Sequence, residues 1–567
     1  MIHLQESRRA TVSAYVALGF ISCLYIFLPE RGDAAEGLVP HFALMRYHIW
    51  NEFAIPYFTP AKCAGWVLAA HSKNFLFSTF TLLALVIPNA ATAVKISHTL
   101  HTFAFGTGLY SWLRWLGIKN SMARMFAASL IIFSGYWVLK TVPVGHVDVL
   151  YGSALAPWIL VAIENLFSEE PKTRSRYLGI FLVLAGLFVL LVNSVYWLWI
   201  VLPLLVARAG IELMYYRKSQ ARLVLTGFGV MFLSSVLAVS LSAPALASVF
   251  EYSMQAFPRN AGHFQVFGDW RWILEMLARS FLDSGIISEA RPDAVLGLAH
   301  EYTNFIGVMS LPLLASGLFR LKSLFRYRAF RGLVVAAIFQ VLLVRTSHVA
   351  DLARMVLPVL SSLTWYWRGS INLLLLYVVI VAAGAEFLLS RRQRVLTLAC
   401  LTLMALNLGE LGLVYNRADI LSLEKPDVFS NTINSEEYFS QPVSPHSRNT
   451  GWQMWCWDTL TGYQSEFNHS LAKGGPVFLQ DGSINMVDIR AIFGAGGKGG
   501  YFKDHTWPLW PANDREDLEK FLNFKQIMPI PLRLQIINSV SAILWIGYLT
   551  LILGVGFNRV RSMRMKT

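Results

Sequence analysis

Two carboxylates open the first long polar stretch of this chain. Asp33 and Glu36 stand in ERGDAAEGLVPHFALMRYHIWNEFAIPYFTPAKCAGWVLAAHSKN, residues 30–74, about one helical turn past the end of an apolar run. Arg46, His48, Lys62, His71 and Lys73 follow, interleaved with Trp50, Tyr57 and Trp66. An acid pair at a membrane exit, then cations and aromatics, is what a site handling a polar group on a lipid needs. A solvated loop with an acidic start has the same composition, so that alternative stays open at this point. His98 and His101 are a second candidate, one turn apart on a single helix face. Without a nearby carboxylate they read as buried packing, or as part of a small polar cluster, rather than as a metal site.

The elements that must position these groups are apolar helices. The chain has 567 residues, 55% hydrophobic and 14% charged, with a mean hydropathy of +0.49. Soluble domains carry about 25% charge. Apolar runs near the roughly 18 residues of a spanning helix predict about twelve spans. They cover 10–29, 91–113, 121–140, 148–167, 177–193, 195–210, 223–250, 302–320, 330–346, 370–390, 394–415 and 536–557. The fold class is therefore an all-α polytopic membrane protein. The net charge of +14 reports orientation rather than nucleic-acid binding, because the cations gather in alternate short loops. With a cytoplasmic N-terminus, the inside loops carry Arg114, Lys119 and Arg124, then Lys172, Arg174 and Arg176, then Arg208, Arg217, Lys218 and Arg222, then Arg320, Lys322, Arg326, Arg328 and Arg331, then Arg391, Arg392 and Arg394, and finally Arg559, Arg561, Arg564 and Lys566. Both termini are then expected in the cytoplasm, with the protein in the plasma (inner) membrane.

The exterior loops are longer and mixed in charge. The loop region 30–90 ends in Phe75 to Pro88, too short to span and expected to be re-entrant or interfacial. KTVPVGHVDV holds Lys140, His146 and Asp148. The loop 251–301 holds Arg259, with an amphipathic helix expected over 270–282 in the interface plane. Residues 346–369 end in Trp365-Tyr366-Trp367-Arg368, an aromatic belt with a cation. Residues 416–535 read as a small mixed α/β exterior domain, and 536–567 as the last helix and a basic tail. FGAGGKGG at 493–500 lacks the phosphate-loop spacing and reads as a flexible loop. Cys23 and Cys400 fall in apolar spans and are expected in the core. Cys63 and Cys456 share the exterior side, where a disulfide between them is open.

The order of these features resembles a family. One span, GD in a long first exterior loop, NEFAIPYFTP, AKCAGWVLAA, then SGYWVLKTVPVGHVDVLYGSALAPWIL and EYTNFIGVMSLPLLASGL together are similar to bacterial polytopic GT-C-type glycosyltransferases. The resemblance covers most of 10–415. It implies sugar transfer from a polyprenyl-phosphate-linked donor on the exterior membrane face, with Asp33 as the first-loop catalytic acid. Asp33 would be the general base, poised by partial desolvation, and Glu36 would support it or hold acceptor hydroxyls. The departing phosphate needs cations, and the fork of arginine matches its oxygens. Arg368 comes first, beside Tyr366, then His146, Arg259 and Arg46. There is no DD or DxD around Asp33, so no metal or other cofactor is expected, although a divalent ion stays open. Membrane lipids, and further membrane subunits, are the other expected partners. Two alternatives stand beside this reading: a lipid or solute transporter, and a non-catalytic subunit built on the same scaffold.

Overall fold

The structure is a computed structural model. It describes residues 8–27, 79–141, 147–168, 173–192, 197–216, 220–247, 270–282, 304–356, 366–391, 393–416, 455–457, 464–466 and 532–564. The described chain is helical, apart from one antiparallel pair, β1 (Trp455–Trp457) and β2 (Gln464–Glu466).

The helices run in this order: α1 (Arg8–Ser22), α2 (Leu24–Phe27), α3 (Thr79–Val86), α4 (Ala90–Leu113), α5 (Ser121–Ile132), α6 (Gly135–Thr141), α7 (Val147–Phe167), α8 (Arg174–Val192), α9 (Trp197–Ile200), α10 (Leu202–Met214), α11 (Ala221–Leu241) and α12 (Trp270–Leu282). Then come α13 (Leu311–Leu318), α14 (Leu321–Leu324), α15 (Arg328–Arg345), α16 (Ser347–Val356), α17 (Ile371–Ser390), α18 (Arg394–Asn416) and α19 (Leu532–Arg564). Among the described residues, eight helices are long and apolar enough to cross a membrane, or nine if the bent pair α5 and α6 is one span. This is the composition of a multi-pass membrane protein.

Every stretch read from the sequence as a span carries a helix. Those that fall short of crossing have visible reasons. Helix α4 carries Lys95, His98, His101 and several threonines. Helix α15 carries Arg328, Arg331 and Arg345. In the run 302–320, the described residues 304–307 are not helical, Gly307 takes φ +88, and the apolar helix is only Val308–Leu318. Within the piece read as re-entrant or interfacial, residues 79–86 form α3, an eight-residue helix. Helix α12 forms where the amphipathic pattern predicted it. The domain read over 416–535 lies outside the described residues, β1 and β2 excepted.

Close approach without a hydrophobic drive needs small residues at the contact. The crossing of α13 with α17 shows why: Gly317 faces the backbone carbonyl of Ile380, and Gly384 faces that of Leu313. Neither position has room for a Cβ. Helices α4 and α7 make the most extensive pairing. There Gly108 faces the Trp158 ring, whose Nε1 donates to the Ala104 carbonyl over 2.8 Å.

At the end of the bundle where 168–173 joins α7 to α8, the charges are neutralised in pairs. Arg208 is buried and donates to both oxygens of Glu164, at 2.6 and 3.0 Å, and to Glu212 at 2.7 Å. Arg328 reaches the other oxygen of Glu212. Glu386 accepts from the amides of Lys119 and Asn120 at 2.6 and 3.0 Å, and faces Arg320 at 3.6 Å. Arg124 is buried, 4.4 Å from the centre of the Tyr110 ring. Arg208, Arg124, Arg320 and Arg328 were placed among the cations of the inside loops; in the structure each also joins helices. Glu164 is the main partner of Arg208. Cys400 is buried, as expected, whereas Cys23, in the turn between α1 and α2, is exposed. The pairing of Cys63 with Cys456 lies outside the described residues.

Glu164→Ala leaves Arg208 with half its counter-charge, and removing one partner of a buried pair costs about 3–5 kcal/mol. Thermal unfolding of the purified protein in detergent should show a large fall in Tm, and Glu164→Leu combined with Arg208→Met should recover most of it.

Candidate functional site

At the opposite end of the bundle, buried polar side chains of α4, α6, α7 and α15 and of the turn before α17 form one layer. Its centre is Tyr136 on α6. The short α6 exists because Ser134 and Gly135 interrupt the preceding helix, and α6 leaves at 42° to α5. Paired small residues of this kind are a common cause of kinks. The freed backbone groups are answered nearby: Gly135 N–H donates to the Phe305 carbonyl over 2.7 Å, and the Ser134 hydroxyl to Ile131 over 2.6 Å. The kink carries Tyr136, Trp137, Lys140 and Thr141 into the bundle, where all four are buried.

The Tyr136 hydroxyl donates to the Arg368 carbonyl over 2.7 Å and lies 3.2 Å from the Ser153 hydroxyl. The Lys140 ammonium stands 5.1 Å from the centre of the Tyr136 ring. One phenol therefore lies beside the Lys140 ammonium with its ring and holds the Arg368 main chain with its hydroxyl. Arg368 itself is 3% exposed and Lys140 is 0% exposed.

Arg368 sits in a 3-10 turn, Tyr366–Ser370, that leads into α17. The turn is pinned on both sides of the arginine. Trp367 is buried. Gly369 packs against the Gln340 amide, and a Cβ there would lie 2.8 Å from the Trp199 carbonyl oxygen. The Ser370 hydroxyl bonds the Asn304 side chain over 3.0 Å. The arginine's backbone thus has little freedom, which limits where its guanidinium can go.

Below this lies the histidine pair. Both rings are buried. His101 Nδ1 is 2.7 Å from the Ser97 carbonyl, which can only accept, so Nδ1 carries a proton. The ring meets Tyr151 edge-on at 4.4 Å. Trp137 Nε1 donates to Thr102 over 2.9 Å, and Thr102 donates to the His98 carbonyl over 2.8 Å. The small polar cluster expected around these histidines is present. Among the described residues, no three His, Cys, Asp or Glu side chains gather as a metal site.

Of the residues singled out from the sequence, Arg368 falls in this layer, with Tyr366 in the same turn. Asp33, Glu36, Arg46, His146 and Arg259 lie outside the described residues. Lys140 was read as part of an exterior loop; it is instead helical and buried. Its signal in the sequence was the i, i+4 spacing from Tyr136 behind the Ser134-Gly135 break, which reads as an ordinary end of span until the kink is seen.

The chain stands alone in the comparisons. No family model, curated protein or solved structure matches it.

Arg368 owes its place to Gly369. Gly369→Ala drives a methyl group into the Trp199 carbonyl and the Gln340 amide, and overpacking of this kind costs about 1–3 kcal/mol. Thermal unfolding should show that loss, while Ala at Gly409, where nothing stands within 4 Å, should leave Tm near the wild-type value.

Proposed function

We propose that this chain is an integral-membrane glycosyltransferase. It moves a sugar from a polyprenyl-phosphate-linked donor to an acceptor on the exterior membrane face. The observation that carries the reading is Arg368, a buried guanidinium on a pinned turn among apolar helices. Ionisable side chains inside a membrane bundle are costly and concentrate at functional sites. The GT-C-like order of motifs supplies the chemistry, and the composition supplies the membrane.

In this reading the scaffold has about twelve spans, both termini lie in the cytoplasm, and 416–535 is an exterior domain. The layer around Tyr136 then faces outward. Asp33 takes the proton of an acceptor hydroxyl. The acceptor oxygen bonds to the anomeric carbon, the bond from that carbon to the phosphate oxygen breaks, and the lipid phosphate leaves with the electron pair. Glu36 holds acceptor hydroxyls or supports Asp33. Arg368 offers its fork to the leaving phosphate, with Arg46, His146, Arg259 and Tyr366 completing the pocket. The chemistry is complete without a metal, because the leaving group is already activated.

The test is transfer of radiolabelled sugar from polyprenyl-phosphate donors in membranes that contain the chain. Asp33→Asn should abolish transfer at unchanged expression. Arg368→Met should lower the rate on the order of a hundredfold, the usual scale for losing one fixed stabilising donor. Full activity in Asp33→Asn would remove the mechanism. A stable membrane partner on purification, with both variants tolerated, would favour the non-catalytic subunit.

A further inference from the structure

We infer that residues 304–310 are a winding switch. Helix α18 holds them unwound through Asn407 and Glu410, and their release lets them wind onto α13 and takes away the partner of Gly135. The inference concerns how the layer around Tyr136 is controlled, and it stands without the glycosyltransferase reading.

It starts from a conflict between sequence and structure. The apolar run 302–320 reads as one continuous helix, with no proline before Pro312 to forbid it. In the structure 304–307 are buried and not helical. Backbone of that kind persists inside a membrane bundle only where other groups answer it. Here four elements do. Gly135 donates to the Phe305 carbonyl over 2.7 Å, and the Ile306 amide donates to the Ser280 carbonyl of α12 over 2.8 Å. Asn407 Nδ2 donates to the Ile306 carbonyl over 2.9 Å. Glu410 accepts from the amides of Val308 and Met309. The Asn304 side chain meets the Ser370 hydroxyl, in the turn before α17.

The wound and unwound states compete for the same groups. In a helix the Met309 amide donates to the Phe305 carbonyl, four residues back. That carbonyl is the one Gly135 now uses. The Ile306 carbonyl would go to the Ser310 amide, and Asn407 now occupies it. Glu410 gives the amides of Val308 and Met309 an acceptor that does not require winding. Gly307 permits both states. It takes φ +88 now, and a Cβ there would lie 2.5 Å from Asn407 Nδ2 and 2.7 Å from Glu410 Oε2. The two clamping side chains stand one turn apart on a helix whose spanning stretch is only 22% buried. The clamp is therefore made by hydrogen bonds more than by packing, which suits it to letting go.

Winding reaches the polar layer at two points. A helix rises only about 1.5 Å per residue, so winding draws Phe305 toward α13 and away from Gly135, at the break that carries Tyr136. It also draws Asn304 away from Ser370, in the turn that carries Arg368. Asn407 and Glu410 are thus positioning residues that act on the layer from a helix outside it.

The experiment is amide hydrogen exchange on the full chain in nanodiscs. Glu410→Gln weakens the clamp, and Gly307→Ala both crowds it and favours helix. Each should raise exchange over 134–138 by about tenfold, the scale of one lost hydrogen bond to a charged group, while 308–310 stays protected because the wound amides have new partners. Val308→Pro cannot donate in a wound turn. Added to Glu410→Gln, it should return 134–138 to the wild-type rate. Unchanged exchange over 134–138 in folded Glu410→Gln and Gly307→Ala overturns the switch. Loss of protection over 308–310 overturns it too, since release would then be fraying rather than winding. So does a Val308→Pro addition that restores nothing. Wild type alone supplies a further test: unprotected amides at 308 and 309 would mean that Glu410 does not hold them. No sugar donor enters these measurements, so failed transfer leaves the switch in place and a failed switch leaves transfer in place.

Discussion

A polar group inside a bundle of apolar helices has no water to turn to, so its partner must come from the bundle itself. The bond from Tyr136 to the Arg368 carbonyl is the instance on which the most depends. It joins α6 to the turn before α17 across 232 positions of sequence. It fixes the height of Arg368, it stations the ring beside Lys140, and it requires the kink at Ser134 and Gly135. The same rule operates elsewhere. Glu410, on α18, accepts from the amides of Val308 and Met309 at 3.0 and 3.2 Å, where a 3-10 turn begins after Gly307. Glu386 does this for the connection between α4 and α5.

The two ends of the bundle use charge differently. At one end Arg208, Glu164, Glu212 and Arg328 close into a mutually neutralising set that ties α7, α10 and α15. That arrangement favours rigidity. At the other end the layer combines two buried cations, hydroxyls, amides and a buried histidine, held by hydrogen bonds from residues that are themselves packed. A paired-charge base at one end and a polar layer at the other is a division that fits the proposed function.

How much of this was legible beforehand depended on the kind of signal. Helix positions were, because apolar length is a property of each segment alone. The amphipathic helix at 270–282 was, because its periodicity is strong. Which cations were buried was not. Arg208 and Arg124 look in sequence like the loop cations beside them, and only the facing helices decide that one meets Glu164 and the other the Tyr110 ring. The histidine pair was visible from its spacing, but its partners Trp137 and Tyr151 belong to α6 and α7. Lys140 was hidden for the same reason, since its burial depends on a kink that two small residues permit but do not announce. Arg368 was found because an aromatic run with a terminal cation is a local pattern. Asp33 rests on the resemblance and on its place after the first apolar run.

The most direct test is a cryo-EM map of the chain in nanodiscs with a non-transferable polyprenyl-phosphate sugar analogue bound. The account predicts phosphate density in contact with Arg368 and the sugar facing the Asp33 carboxylate. A lipid phosphate seated elsewhere, with Asp33 pointing into open solvent away from any groove, would contradict it.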